Sequence, residues 1–290
     1  MLATPGRYDY SPITARPLYR WPNGRKLAVY VAVGVEEYDF GRGMTEDLLP
    51  GAPQPDLVNT AWRDYGNRVG CFRLFDRLAE FGIRPAMLLN TAVYDHAPAL
   101  IAAARAVGAE FVAHGHSNSD SLATMGVEEE AAYIAAVAAR IAAEEGRPPA
   151  GWSSPWLAHT PRTLDLLAAT GFRYIVDFRL DDQPVWLKTT PTPLLAVPYA
   201  LELNDSSTMI GRQATARDFA DMIVDEFEEM LVAADRQPLV MSLVVHSFIS
   251  GQPFRLRALT RALAHIAAKR DDIWLTTPGE IADWIAETRG

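Results

Sequence analysis

Four stretches of this chain place polar or titratable side chains directly after apolar runs. Leu27 to Val35, LAVYVAVGV, gives way to Glu36-Glu37-Tyr38-Asp39. Phe111-Val112-Ala113 runs into His114-Gly115-His116-Ser117-Asn118-Ser119-Asp120. Gly151-Trp152-Ser153-Ser154-Pro155-Trp156 leads towards His159, and Leu239 to Val245 ends in His246-Ser247, with Gly251-Gln252-Pro253-Phe254-Arg255 beyond. In open α/β sheets and barrels, catalytic groups sit at the carboxyl ends of parallel strands, where the packed strand fixes them and the following loop admits substrate. Histidines at such ends can carry protons near neutral pH. The two tryptophans can wall a pocket for a planar ligand. Each cluster also has a plainer explanation. Paired glutamates can mark a solvated strand end, the tryptophans can be packed core, and a histidine can be satisfied by a backbone carbonyl.

The elements that must position these groups are legible as alternating strands and helices. Leu27 to Val35 is a valine-rich apolar run after Pro22-Asn23-Gly24, the pattern of a strand buried on both faces of a parallel sheet. The run Gly41 to Asp64, with Pro50, Pro53 and Pro55, reads as a long loop, and loops of that length are often functional covers. Apolar residues at Val69, Phe72, Leu74, Phe75, Leu78 and Phe81 have helical spacing and stop at Gly82. Strands then follow at Ala86 to Asn90, Glu110 to Ala113, Gly151 to Ser154, Phe172 to Phe178, Pro193 to Pro198, Leu239 to Val245 and Ile273 to Thr276. Helices follow at Ala97 to Val107, Glu128 to Glu145, from Thr160-Pro161, from the capping sequence Thr215-Ala216-Arg217-Asp218 to Ala234, Arg255 to Lys269, and the last turns to Glu287. About seven such units predict a distorted (β/α) barrel of parallel strands, class α/β. Residues 1–24 read as an N-terminal arm and 25–290 as a single barrel domain.

Bulk properties narrow the function. A net charge of -9 with no block of lysine or arginine gives no support to nucleic-acid binding. A single cysteine, Cys71, excludes an intrachain disulfide and a cysteine-based zinc site, and it reads as a packed small side chain. No apolar run approaches the roughly 20 residues that span a bilayer, so no membrane association is expected, and a cytoplasmic location is.

The order of these clusters, together with Pro198-Tyr199-Ala200-Leu201-Glu202-Leu203-Asn204-Asp205, resembles the polysaccharide deacetylase (NodB homology) superfamily over roughly residues 15 to 288. Within it, the chain is similar to the branch of cofactor-independent allantoinase and related cyclic-amide hydrolases. The resemblance implies amide hydrolysis in a (β/α) barrel, with a divalent metal on an aspartate and a His-x-x-x-His pair. Here glutamates stand for the aspartates and Asn118 for the second histidine. An asparagine amide is a poor substitute ligand for zinc. No cofactor is therefore expected. Zinc or another divalent ion remains an alternative, with His114, His116 and Glu36 as ligands if residues 114 and 116 of an extended segment face the same way.

Without metal, the reaction needs a base, an acid and oxyanion stabilisation. Glu36 or Glu37 is the expected base, and His114 or His246 the expected proton donor or carbonyl polariser, with His246 shaping the acidic limb of the pH profile. Asn118, Asn204 and Asp205 would bond the alternating carbonyl and N–H groups of a ureide or imide edge. Trp152, Ser154, Trp156 and Arg255 complete the expected substrate-binding set. The expected function is hydrolysis of a small cyclic amide. The alternatives are a metal-dependent polysaccharide or peptidoglycan N-deacetylase and a non-catalytic binding protein. The resemblance also implies a homo-oligomer, with a tetramer as one form.

Overall fold

The computed structural model describes residues 3–289. Nine strands form one curled sheet: β1 (Leu27–Val35), β2 (Ala86–Leu89), β3 (Glu110–Ala113), β4 (Gly151–Trp152), β5 (Tyr174–Ile175), β6 (Val185–Leu187), β7 (Leu194–Ala196), β8 (Leu239–His246) and β9 (Ile273–Leu275). The order is β6-β7-β5-β4-β3-β2-β1-β8, with β9 also against β1, and every pairing is parallel except β6 with β7. The helices are α1 (Leu57–Tyr65), α2 (Cys71–Glu80), α3 (Val93–His96), α4 (Pro98–Ala106), α5 (Val127–Glu145), α6 (Thr163–Thr170), α7 (Ala216–Ala233), α8 (Pro253–Ala267) and α9 (Pro278–Arg289). The terminal strands β6 and β8 do not pair with each other. Irregular chain closes that gap instead, as the amide of Val240 donates to the Asp182 carbonyl at 2.8 Å and that of Val244 to the Leu203 carbonyl at 2.9 Å. The result is a distorted (β/α) barrel.

All nine residues of β1 are buried, because β8 lies along one edge while β2 and β9 share the other. Parallel pairing puts the carboxyl ends of β1, β2, β3 and β8 on one rim, which is why residues 36, 90, 114 and 246 can meet. The capping box at Thr215 is present, its hydroxyl accepting from the Asp218 amide while Asp218 accepts from the Thr215 amide.

Four sequence expectations change. The stretch read as loop to Asp64 ends at Asp56, whose carboxylate caps α1 by accepting the Asn59 amide at 2.9 Å. Leu57 and Val58 on α1 are exposed, which hid its helical period. A π-helical turn, Gly66–Gly70, joins α1 to α2. The helix expected from Thr160 starts at Thr163, since the Thr160 hydroxyl accepts from Arg162 in a preceding turn. Strand β6 has no counterpart in the sequence reading, being three residues long and partly exposed. Cys71 is buried, and burial pushes its thiol far up, as a packing role requires.

Candidate active site

Glu36 is the first residue after β1 and is 6% exposed. Its Oε1 lies 3.4 Å from His246 Nε2 and 3.6 Å from His114 Nε2, and its Oε2 accepts the Tyr38 hydroxyl at 2.6 Å. The approach of the His246 imidazole depends on Gly34, which pairs with His246 in the β1–β8 register. A Cβ at position 34 would stand 2.6 Å from His246 Cδ2 and 3.2 Å from Glu36 Oε1. Residues 34 and 36 point to the same side of the strand, so the missing side chain makes room for the pair that follows.

Behind His246 stands Asp205, fully buried. One carboxylate receives four contacts: Oδ1 lies 2.6 Å from His246 Nδ1, the His246 amide donates to both oxygens, and Ser250 Oγ donates to Oδ2 at 2.5 Å. Asp205 thereby orients the ring and leaves Nε2 facing Glu36. Burial of His246 works against its charge, but Glu36 and Asp205 outweigh it and raise the imidazole well above the ordinary histidine range. Burial likewise works to raise Glu36, yet the His246 charge and the two imidazole contacts lower it well below the usual carboxylate range. The resting site is a carboxylate and an imidazolium held together out of water.

This charge state fixes the pH behaviour. Glu36 adds stability above its unfolded pKa, lost as pH falls through its depressed folded value. His246 adds stability that is full below its unfolded pKa and is lost as pH rises through its raised folded value. For a reaction that uses Glu36 ionised and His246 protonated, kcat/KM is expected to be flat through neutrality. Its acidic limb should lie below the ordinary glutamate range and its alkaline limb above the ordinary histidine range. A kcat/KM profile with a break near pH ~6.5, the free histidine value, would show that His246 titrates as an isolated imidazole. The raised His246 pKa moves its expected influence to the alkaline limb, where the sequence alone suggests the acidic one.

The remaining expected site residues divide. His114 is buried, with Nδ1 2.9 Å from the Ser153 carbonyl, so its ring is oriented by backbone and its Nε2 faces Glu36. Asn118 lies at the centre, since its Nδ2 donates to Tyr38 Oη at 2.9 Å. The Tyr38 hydroxyl donates to Glu36, so its oxygen accepts from Asn118, which identifies the amide nitrogen and leaves Oδ1 buried without a protein partner. Trp156, at φ 58°, donates its indole N–H to the Asn118 carbonyl and is half-buried at the rim. Arg255 is half-buried and, among the described residues, has no carboxylate within ion-pair distance; burial lowers its pKa while the Asp205 charge opposes the shift.

Other expectations are corrected. Glu37 turns away from Glu36: Asn67 Nδ2 donates to its Oε1 at 3.0 Å, and its Oε2 lies 3.5 Å from His96 Nδ1. Trp152 is fully buried, packed edge-on against Phe172, and walls no pocket. Ser154 is buried too, accepting the Trp152 indole N–H while its amide donates to Asp177. Asn204 Oδ1 accepts the Ser206 amide and caps a turn, and Asp205 is a positioning residue, not a substrate contact. The metal set His114, His116 and Glu36 is not assembled. Gly115 has φ +73°, so the segment is not extended, and His116 is exposed with its ring 3.0 Å from the Thr91 hydroxyl. Among the described residues no group of three or more His, Cys, Asp or Glu side chains is placed to hold a metal ion. Because the Asn118 amide is also committed to Tyr38, the residues do not fit the superfamily's metal.

Two participants had little sequence signal. Tyr38 is adjacent to the glutamates in sequence, and nothing in that position alone marks it as the link between Glu36 and Asn118. Asn90, buried at the end of β2, accepts the Glu37 amide at 3.0 Å and donates to the His114 carbonyl, linking the ends of β1 and β3. A cavity of about 910 Å³ lies against Asp177, His159 and Arg7 of the N-terminal arm. No helix among the described residues is long and apolar enough to cross a membrane.

Comparison with known proteins accords with this architecture. No family model matches the chain. A Schizosaccharomyces pombe protein named "Putative polysaccharide deacetylase" is 26% identical, over 95% of this chain and 94% of its own. The crystal structure of PuuE allantoinase superposes with a TM-score of 0.85 at 23% identity, covering 97% of this chain and 99% of that one. The structure of a probable polysaccharide deacetylase from Pseudomonas aeruginosa PAO1 gives 0.84 at 21%, covering 96% and 98%. The chain thus has the fold shared by these deacetylase and allantoinase structures, and it is similar along nearly its whole length to a protein named as a polysaccharide deacetylase.

Proposed function

We propose that this protein hydrolyses a carbon–nitrogen bond in a small cyclic amide, a ureide or imide, using protein side chains without a metal ion. The observation that carries the reading is Glu36, buried between the Asp205-oriented His246 and the Tyr38–Asn118 pair, with Asn118 where a metal-binding histidine would stand. Glu36 takes a proton from water as its oxygen attacks the ring carbonyl. His246, charged and aimed by Asp205, stabilises the oxyanion. Asn118 Oδ1, buried and unpartnered, accepts a ring N–H, and Ser153 Oγ, also buried and unpartnered, is a second hydrogen-bonding group at the end of β4. The Arg255 guanidinium, half-buried and unpaired, suits a substrate carbonyl or the carboxylate that ring opening creates. A cyclic imide or ureide suits a metal-free site better than an acetamide, because a second carbonyl stabilises the departing nitrogen.

The test is turnover of allantoin, hydantoin, succinimide and an N-acetyl amino sugar by protein stripped with a strong chelator, with and without added zinc. Ring opening by the stripped protein is expected, unchanged by zinc. Deacetylation of the sugar only after zinc is restored would overturn the proposal in favour of a metal-dependent N-deacetylase; the Schizosaccharomyces pombe relative is named as a polysaccharide deacetylase.

A further inference from the structure

The loop from Gly41 to Asp56 brings a third carboxyl group to the rim. Glu46 is half-buried, and Ser206 Oγ donates to its Oε1 at 2.7 Å. Ser206 directly follows Asp205, the residue that orients His246. The second oxygen, Oε2, has no hydrogen-bond partner among the described residues. The loop is held on both sides of Glu46. The Met44 amide donates to the Ser119 carbonyl at 3.0 Å, and the buried Arg63 donates to the Glu46 carbonyl at 2.9 Å and to Asp47 at 2.8 Å. Asn59 of α1 both donates to and accepts from the Leu49 backbone. A surface glutamate on a free loop would have none of these restraints.

The site as described has a base in Glu36 and a charged imidazole tied on both nitrogens, one to Asp205 and one facing Glu36. It lacks a group free to give a proton to the departing nitrogen. We infer that Glu46 is that acid, a catalytic residue delivered by the loop. The inference rests on the hydrolytic reading above. Water loses its proton to Glu36 and its oxygen bonds to the carbonyl carbon. As the carbon–nitrogen bond breaks, the Glu46 carboxyl transfers its proton to the nitrogen, which takes the bonding pair. Glu46 is left ionised and Glu36 protonated, and solvent returns the proton before the next turnover; on a ring that needs this proton the alkaline limb follows Glu46, and the limb set by His246 is seen on a ring, such as an imide, that does not need it. The electrostatics agree: burial and the Glu36 and Asp205 charges raise Glu46, while the His246 charge and the Ser206 hydroxyl oppose them. The other groups facing it are the Arg63 guanidinium on its carbonyl and the Tyr38 hydroxyl, whose own pKa the Glu46 charge helps to raise.

The experiment compares Glu46→Gln with wild type on two rings that differ in the basicity of the leaving nitrogen, a lactam, whose leaving nitrogen carries no second carbonyl, and an imide. Expected is a fall in kcat of about 10²- to 10³-fold on the poorer leaving group and a much smaller fall on the imide. Glu46→Asp should recover part of the loss. Equal losses on both rings would make Glu46 structural, and unchanged kcat would remove it from the chemistry; either overturns the inference. If wild type opens neither ring, the proposed function fails, and Glu46 is read without turnover by infrared titration. A protonated-carboxyl band that persists above the ordinary glutamate range and is missing in Glu46→Gln supports the assignment. Identical titrations in the two proteins overturn it.

Discussion

Glu36→Gln is expected to lower kcat by about 10³- to 10⁴-fold while the protein remains folded. Glutamine has the size of glutamate, keeps an acceptor for the Tyr38 hydroxyl and adds no bulk beside Gly34. It lacks the basicity to take a proton from water, and it removes one of the two carboxylates that hold His246 charged. The same change at Glu37 is expected to leave kcat within a few-fold of wild type, because Glu37 is bonded to Asn67 and lies by His96. Steady-state kinetics on the ring that wild type opens, with circular dichroism as the fold control, decides the matter. Equal effects at the two positions would show that Glu36 has no special role.

Asp205→Asn is expected to cost roughly 10²- to 10⁴-fold in kcat and about 3 kcal/mol in stability. The asparagine has the shape of the aspartate but presents an N–H₂ group where an acceptor is needed. Either the His246 ring nitrogen or the His246 amide and Ser250 hydroxyl then lose a partner. With Asp205 neutral, the imidazolium keeps only Glu36 as counter-charge, so the alkaline limb of kcat/KM should move towards the ordinary histidine value. Chemical denaturation and a pH–rate profile measure the two effects separately. A variant with wild-type kcat and an unmoved alkaline limb would show that Asp205 serves packing alone.

The parts of the fold and site that the sequence disclosed are those governed by local pattern. The nine-residue apolar run of β1 has the pattern of a doubly covered strand, and the pair Glu36-Glu37 followed from where that run stops, without telling the two apart. His114 and His246 were visible for the same reason. Their relations were not. Asp205 lies 41 residues before His246, and an aspartate beside an asparagine looks as much like a substrate contact as a support for a distant ring. Trp152 was misplaced because a strand end alternates sides, and here the indole turns into the core to pack on Phe172. His116 was paired with His114 on the assumption of extended backbone, which Gly115 breaks by adopting positive φ. Glu46 gave no signal at all, since its meaning depends on the Arg63 and Ser206 contacts that fold a loop back over the rim.

The pairing of β1 with β8 joins Leu27 to Leu239 and continues in register to Gly34 and His246. The first strand made on the ribosome therefore waits for almost the last one. Until β8 emerges, β1 has an open, wholly apolar edge, the kind that recruits foreign strands. Loop-closure entropy must also be overcome before that pairing gives any return, which slows folding of such topologies. Glu36, the proposed base, and its imidazole partner come from the two sides of this late seam. A partly synthesised or partly folded chain thus holds Glu36 without the cation that keeps it ionised when buried, so hydrolytic competence and completion of the barrel arrive in a single step.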